Sequence, residues 1–260
     1  MSSERKRIIV IGISGASCSG KTLLAKTLKS ILPRATIIHQ DDFAPAPEDL
    51  PLVDRLQDWD DPPTCIIWDQ FRSTLKDIRS GKSPSHESND HLNVLDAPEL
   101  DTATIGKWKK AFSDLETEER AHGVQLEWYL VEGFILYWDQ AVTNALDIRL
   151  FLRVPHETLK RRREGRSVYV IQSASAAGDV WTDPPGYFDK IVYPAYVKGH
   201  RHMFEDGDVE QGDVSEEWRN SQHPVKMLVP GEGPEEVMRV VEDSCRYLVD
   251  QVKAGAGVAL

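Results

Sequence analysis

Short runs of β-branched, apolar residues alternate along this chain with longer stretches whose apolar positions recur every three or four residues. The first run, Ile8-Ile9-Val10-Ile11-Gly12-Ile13, has the pattern of a strand buried on both faces. Residues 23–32 follow at helical spacing. Residues 35–39 predict a second strand, ending on Gln40-Asp41-Asp42-Phe43. Residues 44–63, rich in proline and aspartate, read as a loop, and residues 65–78 as an amphipathic helix. Residues 80–97 are polar and turn-rich, and 103–122 read as an exposed, charged helix; together 80–123 are expected to form an insertion. Residues 126–131 predict a third strand, closed by Glu132-Gly133-Phe134, residues 147–154 a fourth and residues 225–229 a fifth. Pro155 opens a helix that carries Lys160 and Arg161-Arg162-Arg163. Residues 184–205 read as another helix, 206–221 as an acidic loop, 234–252 as the last helix and 254–260 as a flexible tail.

Strands alternating with helices predict an α/β fold with a mainly parallel, five-stranded sheet covered on both faces. The 260 residues suit a single domain of this kind. A net charge of −11 argues against broad binding to nucleic-acid phosphates or anionic lipid. Cys18, Cys65 and Cys245 are far apart and form no disulfide framework, and the eight histidines make no metal set. The charged start of the chain lacks the apolar core of a signal peptide, and no apolar run approaches a membrane span. A cytoplasmic protein is therefore expected.

The turn between the first strand and the first helix carries the chemistry. Gly15-Ala16-Ser17-Cys18-Ser19-Gly20-Lys21-Thr22 matches G-x-x-x-x-G-K-[ST] in full. Glycines let backbone N–H groups converge on an anion, and the helix that follows offers its unpaired N-terminal donors. In this pattern Lys21 reaches the β- and γ-phosphates of a nucleotide and Thr22 places its hydroxyl on Mg²⁺. Asp41 and Asp42 follow the second strand, at the edge where open α/β sheets bind ligands. An aspartate there accepts a proton from an attacking hydroxyl or holds Mg²⁺, and Glu132, ending the third strand, suits Mg²⁺ or its waters. The arginines after the fourth strand, with Arg166, suit a lid over 160–182 that delivers guanidinium groups to a phosphoryl group in transfer. Taken alone, Trp59 and Tyr169 read as ordinary packing.

"GISGASCSGKT", "QDDF", "DWDDP", "VEGF", "PHETLKRRR" and "DPPGYFDKIVYPAY", in this order and spacing, resemble the nicotinamide riboside kinases. The resemblance spans roughly residues 8–198 apart from 80–123. It implies a P-loop three-layer sandwich with a helical lid, and a kinase that uses ATP and Mg²⁺ on a small nucleoside. The expected acceptor is the 5′-hydroxyl of nicotinamide riboside, and of nicotinic acid riboside. It also implies residue roles: Asp41 as general base that also faces Mg²⁺, Phe43 lining the acceptor pocket, and Asp60 with Arg163 holding the ribose 2′- and 3′-hydroxyls. Trp59 and Tyr169 would flank the base, Arg162 and Arg166 would serve ATP, and 231–233 would lie near the adenine. The chain departs from the family pattern in having Ala44-Pro45 after "QDDF", Trp59 where tyrosine is common, and extra residues over 170–180. A uridine or cytidine kinase of the same fold remains an alternative reading, and so does a nucleotide-gated binding module. The chain has no [NT]-K-x-D guanine-reading sequence, which counts against the module.

Overall fold

The first apolar run becomes the middle strand of a sheet. β1 (Arg5–Gly15) lies between β3 (Val124–Gly133) and β4 (Ile148–Leu152), with β2 (Thr36–His39) outside β3 and β5 (Val225–Leu228) outside β4. All four of these pairings are parallel. The computed structural model from which this follows describes residues 5–84, 100–166, 169–170 and 180–260.

Successive residues of a strand face opposite ways, so a strand without polar alternation needs cover on both sides. Ile8 and Val10 face one layer, where Phe71, Leu75 and Ile78 of α2 (Trp68–Arg79), Leu159 of α4 (His156–Gly165) and Tyr196 of α5 (Tyr193–His200) pack. Ile9, Ile11 and Ile13 face the other layer. There they meet Leu24 and Leu28 of α1 (Lys21–Ile31) and Val241 and Leu248 of α6 (Pro234–Lys253). The expected three-layer α/β sandwich with five parallel strands is what forms.

Three expectations need correction. The helix expected to be exposed and charged is α3 (Thr102–Ala121), and it supplies part of the core. Trp108, Phe112 and Leu115 form one stripe, and Phe112 meets Trp128 of β3 edge to face at 5.6 Å. The charged residues around the stripe dilute its signal in the sequence. Residues 85–99 of the expected insertion lie outside the described residues. The acidic loop over 206–221 contains a helical turn, Glu216–Arg219, whose Trp218 is buried against Tyr137 under the Arg149 guanidinium.

The tail is the third. Val258–Ala259 form β6, antiparallel to β1, with Arg7 opposite Ala259 and Ile8 opposite Val258. β4 pairs with β1 only from Ile11 onward, so the start of β1 would otherwise present an unpaired edge. Arg7 fixes the return: its Nη2 donates to Val252 O at 2.8 Å, in the last turn of α6, and its Nε to Ala256 O at 2.8 Å, just past that helix.

Phe112→Ala should cost about 3–5 kcal/mol in chemical denaturation, the range for a buried aromatic. A loss under about 1 kcal/mol would return α3 to the surface role its charge suggests.

Candidate active site

Parallel strands end on one edge of a sheet, so the residues that close β1, β2 and β3 are neighbours whatever their distance in the chain. The phosphate loop closes β1. Gly15 (φ 141°) and Gly20 (φ 100°) adopt backbone angles that side chains disfavour, and a Cβ on Gly15 would lie 2.4 Å from Leu152 O. Lys21 opens α1. Its buried ammonium donates to Ala16 O at 2.8 Å, which folds it across the loop it serves. Burial lowers its pKa, opposed by the charges of Glu132 and Asp41.

Glu132 and His39 are register partners on β3 and β2. Both are buried, with His39 Nδ1 2.7 Å from Glu132 Oε1, and Thr22 Oγ1 donates to the same oxygen at 3.2 Å. Burial pushes the Glu132 carboxyl up, but His39, Lys21 and Thr22 together hold it below its ordinary value. Asp41 follows β2 in the 3₁₀ turn Gln40–Phe43. The residue itself is exposed, while Lys21, His39 and Glu132 around it are buried. Loss of water and then the Glu132 charge push the Asp41 carboxyl up to about 6, against the pull of Lys21 and His39. Asp41, Glu132, Lys21 and Thr22 therefore form one electrostatic unit.

The donors here suit Mg²⁺, which prefers hard oxygen ligands and takes one or two carboxylates, with phosphates and water completing the shell. Two carboxylates and a hydroxyl are present. No three His, Cys, Asp or Glu side chains converge as a protein-only cage among the described residues, which this kind of site does not require.

A second, more acidic cluster lies beside the first. Asp60 is 7% exposed, and burial pushes its carboxyl up to about 6; Arg163 opposes the rise, while Asp58, Asp183 and Asp41 add to it. Burial raises Asp58 as well. Arg163, also buried, grips Asp183 with Nε at 2.6 Å and Nη2 at 3.0 Å, while its Nη1 donates to Ser17 Oγ in the phosphate loop at 2.7 Å. The arginine that the family resemblance assigns to the ribose thus ties the lid to the phosphate loop. Trp181 Nε1 donates to Asp183 Oδ1 at 2.8 Å, and the Trp181 ring meets Trp59 at 6.1 Å and Tyr187 at 5.6 Å, edge to face. Tyr187 donates to Gln57 O at 2.7 Å and accepts from Trp59 N.

Other expected residues are less central. Phe43 is buried against Phe71, 4.9 Å between ring centres. Tyr169 pairs through its backbone with Trp181, and its side chain lies outside the described residues, as do 167–168 and 171–179 of the expected lid. Arg166 lies exposed past the end of α4. Arg162 Nη1 donates to Cys18 O at 3.3 Å, and Arg162 also lines a cavity of about 260 Å³ with Gly20, Leu24, Gly231, Gly233 and Val237. This apolar slot beside the phosphate loop has the size and lining for a flat base. The sequence reading assigned no role to His39, Trp181, Asp183 or Tyr187. The last three do fall in or beside the quoted "DPPGYF" segment.

In the metal-free protein the Asp41 carboxyl should titrate near 6, followed by carbonyl NMR. It is then mostly ionised at pH 7 and protonated below 6. A midpoint near 4 would contradict the electrostatic coupling described above.

No protein-family model matches the chain. It is 38% identical over 209 residues to the nicotinamide riboside kinase of Schizosaccharomyces pombe, covering 78% of this chain and 84% of that one. It is 31% identical to the nicotinamide riboside kinase of Saccharomyces cerevisiae, covering 79% of this chain and 82% of that one. To human nicotinamide riboside kinase 2 it is 31% identical, over 76% of this chain and 70% of that one.

Proposed function

This chain belongs to the nicotinamide riboside kinase family, and from that premise we propose that it transfers the γ-phosphoryl group of ATP to the ribose 5′-hydroxyl of nicotinamide riboside, yielding the mononucleotide for NAD salvage. Nicotinic acid riboside is the expected second acceptor.

One observation favours this acceptor over uridine or cytidine: the acidic crowd beside the aromatic rings. Burial raises the Asp60 carboxyl, the charges of Asp58, Asp183 and Asp41 add to the rise, and Arg163 opposes it. Such a pocket gains from a cation. Nicotinamide riboside carries a pyridinium, and an aromatic face beside it adds about 0.5–2 kcal/mol. Uracil and cytosine bring no charge at neutral pH and leave the carboxylates crowded.

The roles follow from position. The loop amides and Lys21 bind the triphosphate, and the apolar slot takes the adenine. Mg²⁺, when bound, neutralises charge on the phosphates; Thr22, Glu132 and Asp41 are the residues that would hold it or its waters. Asp41 orients the 5′-hydroxyl and accepts its proton as the bond to phosphorus forms, which a carboxylate with a pKa near 6 does readily at pH 7. Asp60 holds the ribose hydroxyls. Trp59 and Trp181 enclose the base. Arg162 places a guanidinium over the phosphate loop, where it stabilises charge in transfer.

An ADP-release screen of purified protein with Mg²⁺ across nucleosides is expected to give the highest kcat/KM with nicotinamide riboside. A preference for uridine or cytidine would overturn the acceptor assignment, and slow hydrolysis indifferent to any nucleoside would indicate a nucleotide-gated module. Asp41→Asn should cut turnover by about 10²–10⁴-fold while ATP binding, measured by calorimetry, stays nearly intact. Asp60→Asn and Trp181→Ala should each raise the acceptor KM more than they lower kcat. Unchanged KM values in both would remove this pocket from acceptor binding.

A further inference from the structure

The nucleotide-side chemistry depends on how one buried carboxylate is held. Glu132 accepts two hydrogen bonds, from Thr22 and His39, and both arrive at Oε1; Oε2 accepts none among the described residues. A carboxylate with one oxygen tied from two directions has its plane and its second oxygen fixed. His39 is the shorter of the two contacts, it is 2% exposed, and it is brought there by the β2–β3 register. A β-strand end is a rigid mount, so the imidazole has little freedom to swing away.

We propose that His39 is a positioning residue for the phosphoryl-transfer site. Its Nδ1–H fixes the Glu132 carboxylate so that Oε2 faces the divalent cation accompanying the nucleotide, or that cation's water shell. This rests on the assignment of Glu132 to the metal side of the site. Partners that orient a metal-side carboxylate in this way typically alter metal affinity or activity by roughly 10–100-fold when removed. Simple satisfaction of a buried acid would instead affect folding, with the metal indifferent to the change.

The test uses His39→Leu, which keeps the bulk and loses the donor, and His39→Asn, whose amide nitrogen stands near the place of Nδ1. Mn²⁺ binding to the protein saturated with a non-hydrolysable ATP analogue is read by electron paramagnetic resonance, alongside kcat and acceptor KM with Mg²⁺. His39→Leu is expected to weaken Mn²⁺ binding about tenfold and to lower kcat, with acceptor KM unchanged. His39→Asn should restore most of both. Should the leucine variant fail to fold, His39→Gln takes its place, because its longer amide overshoots Oε1; the prediction is then that Asn retains Mn²⁺ affinity and Gln loses it. Glu132→Gln separates the two layers of the argument. If it leaves Mn²⁺ affinity untouched, the metal-side reading of Glu132 fails and the proposal falls with it. If it weakens Mn²⁺ but a folded His39→Leu does not, or if Asn and Leu are equally impaired, the role of His39 alone is refuted.

Discussion

A carboxylate buried at the end of a strand is expensive unless its charge is met, and Glu132 sets the terms for everything around it. His39 and Thr22 meet that charge directly, and Lys21 meets it from across the loop. The consequence reaches Asp41, whose proton affinity is raised first by loss of water and then by the charged Glu132 beside it. The arrangement exists because β1, β2 and β3 are parallel and stop together. A slip of one residue between β2 and β3 would turn His39 to the other face and leave Glu132 without its partner.

The other half of the site is organised by a different conflict. Three aspartates share a small volume with one arginine, and that arginine also reaches into the phosphate loop through Ser17. Arg163 therefore belongs to both halves. Its grip on Asp183 sets Trp181 through a hydrogen bond to the same carboxylate, and Trp181 in turn closes on Trp59. One chain of contacts runs from the glycine loop after β1 to the Trp59 and Trp181 rings.

Much of this was legible in the sequence because it is local. The glycine spacing, the apolar run before it and the helical pattern after it identify the phosphate loop within a few turns of chain. Asp41 and Glu132 stood out in the sequence because each closes a predicted strand at the edge where such sheets bind ligands, although turn chemistry also places acids there. What escaped depends on contacts between distant residues. The partnership of His39 with Glu132 spans 93 positions and requires knowing that β2 lies beside β3. The pairing of Trp181 with Trp59 joins segments more than a hundred residues apart, and the family resemblance had pointed to Tyr169 instead. The stripe Trp108, Phe112, Leu115 was present in the sequence but sits among lysines and glutamates, so its burial emerges only when β3 is placed under it. The C-terminal strand returns over nearly the whole chain to the start of β1, a pairing no local pattern announces.

The central claim is that the loop after β1 aims a nucleotide's terminal phosphate at a ribose hydroxyl held between Asp41 and Asp60. A crystal structure with a non-hydrolysable ATP analogue, Mg²⁺ and nicotinamide riboside tests it most directly. The account predicts the triphosphate along Gly15–Thr22, the 5′-hydroxyl within hydrogen-bond reach of Asp41 and in line with the γ-phosphorus, and the pyridinium against Trp59. A triphosphate bound elsewhere, or a riboside whose 5′-hydroxyl points away from Asp41, would contradict it.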